Sequence, residues 1–417
     1  MTSQVPGMRG LCAVLVGLVC VVYANSLDNG FHFDDHHSIE RNTAIASLSS
    51  IPSYFTDGGT FSADPDVSMF RPLLLVSYAM NHALGAKDPV GYHVVNVLLH
   101  ASFVVMVFLI GVRLTGRPMP MWWAAAVLAV HPLNSQAVNY VSSRSGVLAA
   151  IGALGAFYLS SVAPRPRPVA AGISQLAGLL AKSTALTGLG LVAVYELGRR
   201  GRRRILPPVT IALASALYAV GAWASGFYSA AFDGAIRPLA TQAQTQCKAL
   251  VYYLYLWAHP VHLSMSHPFV VSTTPTAVVL LAGSLTLSLV GLGLYAWRRG
   301  QLSGFAVLWF YGGLALTSAM PLYVIISEHR LYLSMAALAV LAAHLWRAPT
   351  RVPATTLPII LLLGLAVLTV QRNGVWQDEL TLWSDAARIA PQDARVWSGV
   401  GEAHHRQGNL DSADVAY

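Results

Sequence analysis

The chain runs to 417 residues, of which 55% are apolar and only 11% charged, with a formal net charge of +8. A soluble domain carries about 25% charged residues, so this balance excludes a soluble globular enzyme and points to an all-α polytopic membrane protein. Cys12, Cys20 and Cys247 have neither metal-ligand spacing nor a disulfide framework. No nucleotide-binding or zinc-protease motif is present, and no cofactor is expected.

Apolar runs able to cross, or nearly cross, the hydrocarbon core are predicted near 11–27, 93–113, 121–133, 146–162, 169–182, 184–198, 206–226, 275–297, 303–321, 331–346 and 354–370, about 11 spans. With the N-terminus in the cytoplasm, the inner turns collect Arg9, Arg113, Arg117, Arg165, Arg167, Arg199, Arg200, Arg202, Arg203, Arg204, Arg298, Arg299, Arg347 and Arg351. Glu196 is the one acidic residue on that side. This is the positive-inside pattern, and it explains the net charge as topogenic arginine beside anionic headgroups, with no nucleic acid required. Val22-Tyr23-Ala24 is a weak cleavage site after the first span, which is expected to be retained.

The first outer loop, 27–92, opens with Phe31-His32-Phe33-Asp34-Asp35. Adjacent carboxylates at a membrane boundary are costly to desolvate and suit a general base, although a solvated loop turn has the same appearance. Arg71 precedes Pro72, which fixes the local backbone. His93, Asn96 and His100 follow at i, i+3, i+7, one helical stripe that faces either a site or a helix–helix seam. His131-Pro132 ends the third span, Arg144 lies in the next outer turn, and Lys182 ends the fifth span. The aromatic segment Tyr252–Trp257, before His259 and His262, is too short to span and reads as re-entrant or interfacial. Glu328-His329-Arg330 precedes the tenth span. Arg71, Arg144, Lys182 and Arg330 thus share the face of the carboxylates, a charge pattern suited to a phosphate-bearing lipid. From about 376 the chain turns polar. Trp397, Gly399, Gly401, Gly408, Ala413 and Tyr417 match the start of a 34-residue tetratricopeptide repeat, cut short before its second helix is complete, or else a plain helical tail.

Taken in order, these motifs resemble the transmembrane and tetratricopeptide-repeat protein O-mannosyltransferases, members of the C-type (GT-C) membrane glycosyltransferases. The resemblance runs from about residue 23 to the end. It rests on Phe33-Asp34-Asp35 with Ile39 and Asn42, Phe70-Arg71-Pro72-Leu73, Gly91-Tyr92-His93 with Asn96 and His100, and His131-Pro132 with Ala137-Val138 and Arg144. It continues in Trp257 with His259-Pro260, Arg330-Leu331-Tyr332-Leu333, Arg372-Asn373, Trp376 and Leu382-Trp383. It departs from the family at Ala181-Lys182-Ser183, where the pattern has Ser-Lys-Glu, and at Thr43, where it favours Pro.

The resemblance implies a GT-C transmembrane domain over 1–372 and the start of a repeat region over 373–417. The implied activity is inverting transfer of a sugar, typically mannose, from a polyprenyl or dolichyl phosphate to Ser or Thr hydroxyls of exported proteins. Asp34 and Asp35 are then catalytic, with either one as the base. Arg71, Arg144, Arg330 and Lys182 would hold the donor phosphate, with His93, Asn96, His131, His259 and Glu328 around the substrate. No metal is expected. The tail would engage the acceptor protein, and the site would face the periplasm of a bacterial inner membrane, or the lumen of the endoplasmic reticulum. The competing readings are a non-catalytic membrane scaffold presenting the repeats and a lipid or solute transporter. Transport calls for matching inverted halves with polar groups at mid-depth, a pattern this chain lacks.

Overall fold

The computed structural model describes residues 7–198, 205–227, 236–347 and 355–417. Arg199, Arg200, Arg202, Arg203, Arg204 and Arg351 of the expected inner turns lie outside the described residues. All regular structure among the described residues is helical.

Six helices among the described residues are long and apolar enough to cross a membrane: Pro89–Thr115, Val141–Val162, Leu206–Ala224, Ala277–Arg298, Leu302–Ala319 and Thr356–Gly374. The chain is an integral membrane protein. The other five expected spans are also helical but shorter: Met8–Val22, Pro118–Ala129, Pro168–Ala181, Thr187–Gly198 and Tyr332–Leu345. At about 1.5 Å per residue, helices of this length fall short of a core roughly 30 Å thick. Tyr332–Leu345 is buried on nearly every side, as an apolar helix without a polar face must be. Arg117, one of the expected inner arginines, donates to the carbonyls of Ala343, His344 and Trp346 at 2.9–3.0 Å. It thereby satisfies the C-terminal carbonyls of that helix. Arg144–Phe157 lies directly against Pro168–Ala181 because Gly152 meets Gly178, where a Cβ has no room.

The aromatic segment, expected to be re-entrant or interfacial, is part of a longer helix that is not among those apolar enough to cross. Tyr252–Trp257 belongs to a continuous 20-residue helix, Leu239–Ala258, whose buried face runs through Gln242, Thr245, Gln246, Ala249, Tyr253 and Leu256. Its polar first half had hidden that periodicity.

The loop expected on the outer face, 27–92, folds into short turns and the Pro72–Gly85 helix around its own core of Phe31, Ile39, Ile45, Tyr54, Phe61, Leu74, Tyr78 and Tyr92. Pro72 at the first helical position starts that helix, and Asn42 and Asp57 cap two of the turns by accepting from the Ala44 and Gly59 amides. The tail forms Glu379–Ile389, Ala394–Arg406 and the short Leu410–Ala416. Asp378 and Asp393 cap the first two, and Gly408, at φ +78°, makes the turn into the third. Gly399 sits under the Trp383 ring, so the first two tail helices pack closely.

Candidate active site

The start of the outer loop is tied down by buried asparagines. Asn29 donates to Asn139 Oδ1 at 2.9 Å, and Asn139 donates to Asn373 Oδ1 at 2.8 Å. Asn373 in turn donates to the Val22 carbonyl at 3.0 Å. His32 Nε2 pairs with the Trp376 carbonyl at 2.6 Å. First helix, loop, 135–139 turn and last span are therefore one hydrogen-bonded unit.

On that base the chain makes a sharp turn at Phe33, at φ 53°, a left-handed conformation that costs a non-glycine residue of order 1 kcal/mol or more. The turn sends the two aspartates in different directions. Asp35 is fully buried and accepts three hydrogen bonds, from Ser142 N at 2.7 Å, Ser142 Oγ at 2.5 Å and His32 N at 3.1 Å. Burial still pushes its carboxyl up to about 7, against those donors. Asp34 is 47% exposed and lines a cavity of about 630 Å³. Its partial burial would raise its pKa. The His37 and Tyr140 side chains, with the Arg71 charge nearby, outweigh this and hold the carboxyl below its usual value. His37 Nε2 lies 3.5 Å from Asp34 Oδ1, and the Tyr140 hydroxyl accepts the Asp34 amide at 3.3 Å.

The cations divide in the same way. Arg71 sits over the Phe61 ring, 5.3 Å from its centroid, and its charge acts on Asp34. Lys182 stands in extended backbone at the break after Pro168–Ala181 and lines a small cleft with Arg330, His329 and Thr184. Arg330 is braced by the carbonyls of Ile325 and Val324, each at 2.8 Å, and also faces the large cavity. Arg71, Lys182 and Arg330 all act electrostatically on His329 or on one another. Neither the Lys182 ammonium nor the Arg71 guanidinium donates a hydrogen bond to the described residues. Lys182, unpaired in the cleft wall, makes that cleft receptive to an anion, whereas Arg71 lines neither cavity and contributes through its charge.

Arg144 is a different case. It is fully buried and donates to Asn96 Oδ1 and Asn81 Oδ1 at 2.7 Å, to the Tyr92 carbonyl at 3.0 Å and to Ser77 Oγ at 3.2 Å. Every such bond is to protein, and Arg144 is absent from the cavity wall. Asn96 is its partner and also donates to the Val138 carbonyl at 3.0 Å. The stripe begun by His93 and Asn96 is therefore a helix–helix seam: His93 faces the Gly30 carbonyl at 3.4 Å, and His100 bonds Tyr332 and the Ala129 carbonyl. His131 caps the turn after it and meets the Trp257 carbonyl at 3.1 Å. His259 is exposed and stacks on Tyr255, away from the cavity. Glu328 is buried, accepting from Ser264 N at 2.6 Å and pairing with His267 at 3.1 Å.

Four cavity residues escaped the sequence reading. His36 and His37 follow the aspartate pair directly, and His329 lies within the Glu328-His329-Arg330 motif, so proximity was the available signal. Glu379 had none. It accepts from Phe33 N at 3.1 Å and pairs with His36 Nε2 at 2.9 Å, across 343 residues or more. His36 also bonds Glu40. Burial would lower the His36 pKa, but these carboxylates outweigh it and raise it to about 9. With Trp383, Ser398, Glu402 and Arg406, Glu379 makes the tail the second wall of the cavity.

No protein-family model matches the chain, and no solved structure matches it. Among characterised sequences, it is 25% identical to the protein O-mannosyl-transferase TMTC3 of Mus musculus and 26% to that of Homo sapiens, over 96% of this chain and 50% of each relative. It is 24% identical to the protein O-mannosyl-transferase F38B6.6 of Caenorhabditis elegans, over 99% of this chain and 62% of that protein. The chain spans about half the length of the first two relatives. Over nearly its whole length it is thus similar to the TMTC protein O-mannosyl-transferases.

Proposed function

We propose that the chain is an inverting glycosyltransferase that moves a sugar, mannose by analogy with its relatives, from a polyprenyl-type phosphate to Ser or Thr hydroxyls of a protein acceptor. The observation that carries this reading is the half-exposed Asp34 carboxylate in a cavity that shares His329 and Arg330 with the cleft of the unpaired Lys182, with the Arg71 charge acting on Asp34. The names of the relatives point the same way.

In this reaction the acceptor oxygen attacks the anomeric carbon from the face opposite the phosphate. Its proton passes to Asp34, and the carbon–oxygen bond to phosphate breaks with its electron pair going to the phosphate. Arg71, Lys182 and Arg330 stabilise the charge that accumulates there, an effect worth most where water is excluded. Asp35 shapes the loop that presents Asp34. The tail, as the opposite wall of the cavity, engages the acceptor polypeptide through helices of tetratricopeptide-like pattern. The site faces the periplasm, or the endoplasmic-reticulum lumen in a eukaryote.

The test is sugar transfer by the purified chain from labelled polyprenyl-phosphate mannose to a Ser/Thr-rich acceptor. Asp34→Asn is expected to cut transfer by about 10²–10⁴, the usual worth of a general base. A folded Asp34→Asn that transfers at the wild-type rate would remove Asp34 from the mechanism.

A further inference from the structure

We infer that His329 is a ligand of the carrier phosphate, donating from Nε2 to the same anion that Lys182 and Arg330 face. The inference rests on the carrier reading above and adds to it a residue and a proton.

Four observations converge on this ring. His329 lies in the wall shared by the large cavity that holds Asp34 and the small cleft that holds Lys182 and Thr184. Its backbone is fixed, because the His329 amide donates to Gln136 Oε1 at 2.8 Å. Its Nδ1 is engaged with Ser327 Oγ at 2.9 Å, which leaves Nε2 with no partner among the described residues. Ser327 is itself held by the Tyr253 hydroxyl, at 3.2 Å from its amide, so the ring cannot swing away cheaply. The one Ser327 hydroxyl proton has two acceptors, Gln136 Oε1 at 3.3 Å and the closer Nδ1; when it goes to Nδ1, the neutral tautomer carries its proton on Nε2, on the side that opens to the cavities.

The charges around the ring define its partner. Lys182, Arg330 and Arg71 act on it, and its neighbour Glu328 is turned away toward His267 and Ser264. Asp34 and His37 stand in the wall of the large cavity. Burial, reinforced by the three cations, holds the imidazole neutral, well below its ordinary range. An arriving phosphate reverses that field. The donor phosphodiester carries one negative charge and the released monoester two, and the second charge favours a cationic His329. The proton comes from solvent, so the monoester binds with proton uptake.

The experiment uses the full chain in detergent with polyprenyl monophosphate and, as control, uncharged polyprenol. Binding is followed by calorimetry near pH 7.5, above the second phosphate pKa of about 6, in two buffers of different ionisation enthalpy, which counts protons. The wild type is expected to prefer the phosphate and to bind it with proton uptake shared between His329 and its cleft neighbour Lys182. His329→Ala is expected to bind it about tenfold more weakly. His329→Gln, which keeps a donor and guards against misfolding, is expected to recover part of the affinity but to lose the share of the uptake that His329 carries. If the wild type prefers the phosphate and both variants match its affinity and uptake, His329 is not a ligand and the carrier reading stands. If the wild type fails to distinguish the phosphate from polyprenol, the carrier reading fails and this inference with it.

Discussion

Adjacent residues of the same type do opposite things here, and hydrogen-bond satisfaction decides which. Asp35 spends its oxygens on Ser142 and His32, whereas Asp34 keeps a carboxylate open to the cavity. Because folding raises the Asp35 pKa to about 7, the native state holds that proton more tightly than the unfolded chain. Its contribution to stability is therefore full below about pH 4 and is lost as pH rises through about 7. Thermal unfolding in detergent should show this decline, and Asp35→Asn should flatten it between those limits. The arginines divide in the same way. Arg144→Ala strands Asn81, Asn96 and the Tyr92 carbonyl in a buried site, and should cost roughly 3 kcal/mol or more of stability. Lys182→Ala strands nothing. It should leave the melting temperature unchanged and lower kcat/KM for the lipid donor by about 10- to 100-fold, the worth of one charge-assisted hydrogen bond.

At the scale of elements, the join between the outer loop and the tail is electrostatic. His36 links Glu40 of the loop to Glu379, the first residue of the tail helices. Its pKa is raised on folding to about 9, so the docking free energy it supplies is complete below about pH 6.5 and disappears as pH rises through 9. Limited proteolysis of the tail should accelerate over that window. Glu379→Gln should make cleavage fast at every pH. Unchanged protection from pH 6 to 10 would mean that packing of Phe33 on Trp383 and the Gly30–Gln377 bond carry the junction alone.

For the whole molecule, the outer loop, the 324–330 segment and the tail close on one cavity at one end of the bundle. The expected inner residues Arg113 and Arg117 lie at the other end of the Pro89–Thr115 helix from His93. Single cysteines introduced near Asp57 and near Arg113 into a chain lacking its native cysteines should therefore label from opposite sides of a sealed vesicle. Labelling of both positions from the same side would overturn the arrangement of the site on one membrane face.

Much of this organisation is legible in the residues themselves. An apolar majority with few charges can only be a membrane protein, and the long apolar runs locate helices, six of which among the described residues can cross, because each must satisfy its own backbone in lipid. The adjacent carboxylates and the arginines near span ends are likewise visible as outliers in an apolar chain. Helix length was harder to see, since an apolar run does not reveal where a cap or a proline ends the helix, and short segments such as Pro118–Ala129 read as full spans. What only the tertiary structure decided is which polar group is already spoken for. Arg144 and Lys182 look alike in the sequence, yet one is saturated by partners 48 to 67 positions away and the other is left unpaired at a cleft. Glu379 enters the site from more than 340 residues beyond the aspartates. Periodicity reports the face on which a side chain lies, whereas its role depends on what the rest of the chain brings to that face, and long-range contacts leave no mark on local sequence.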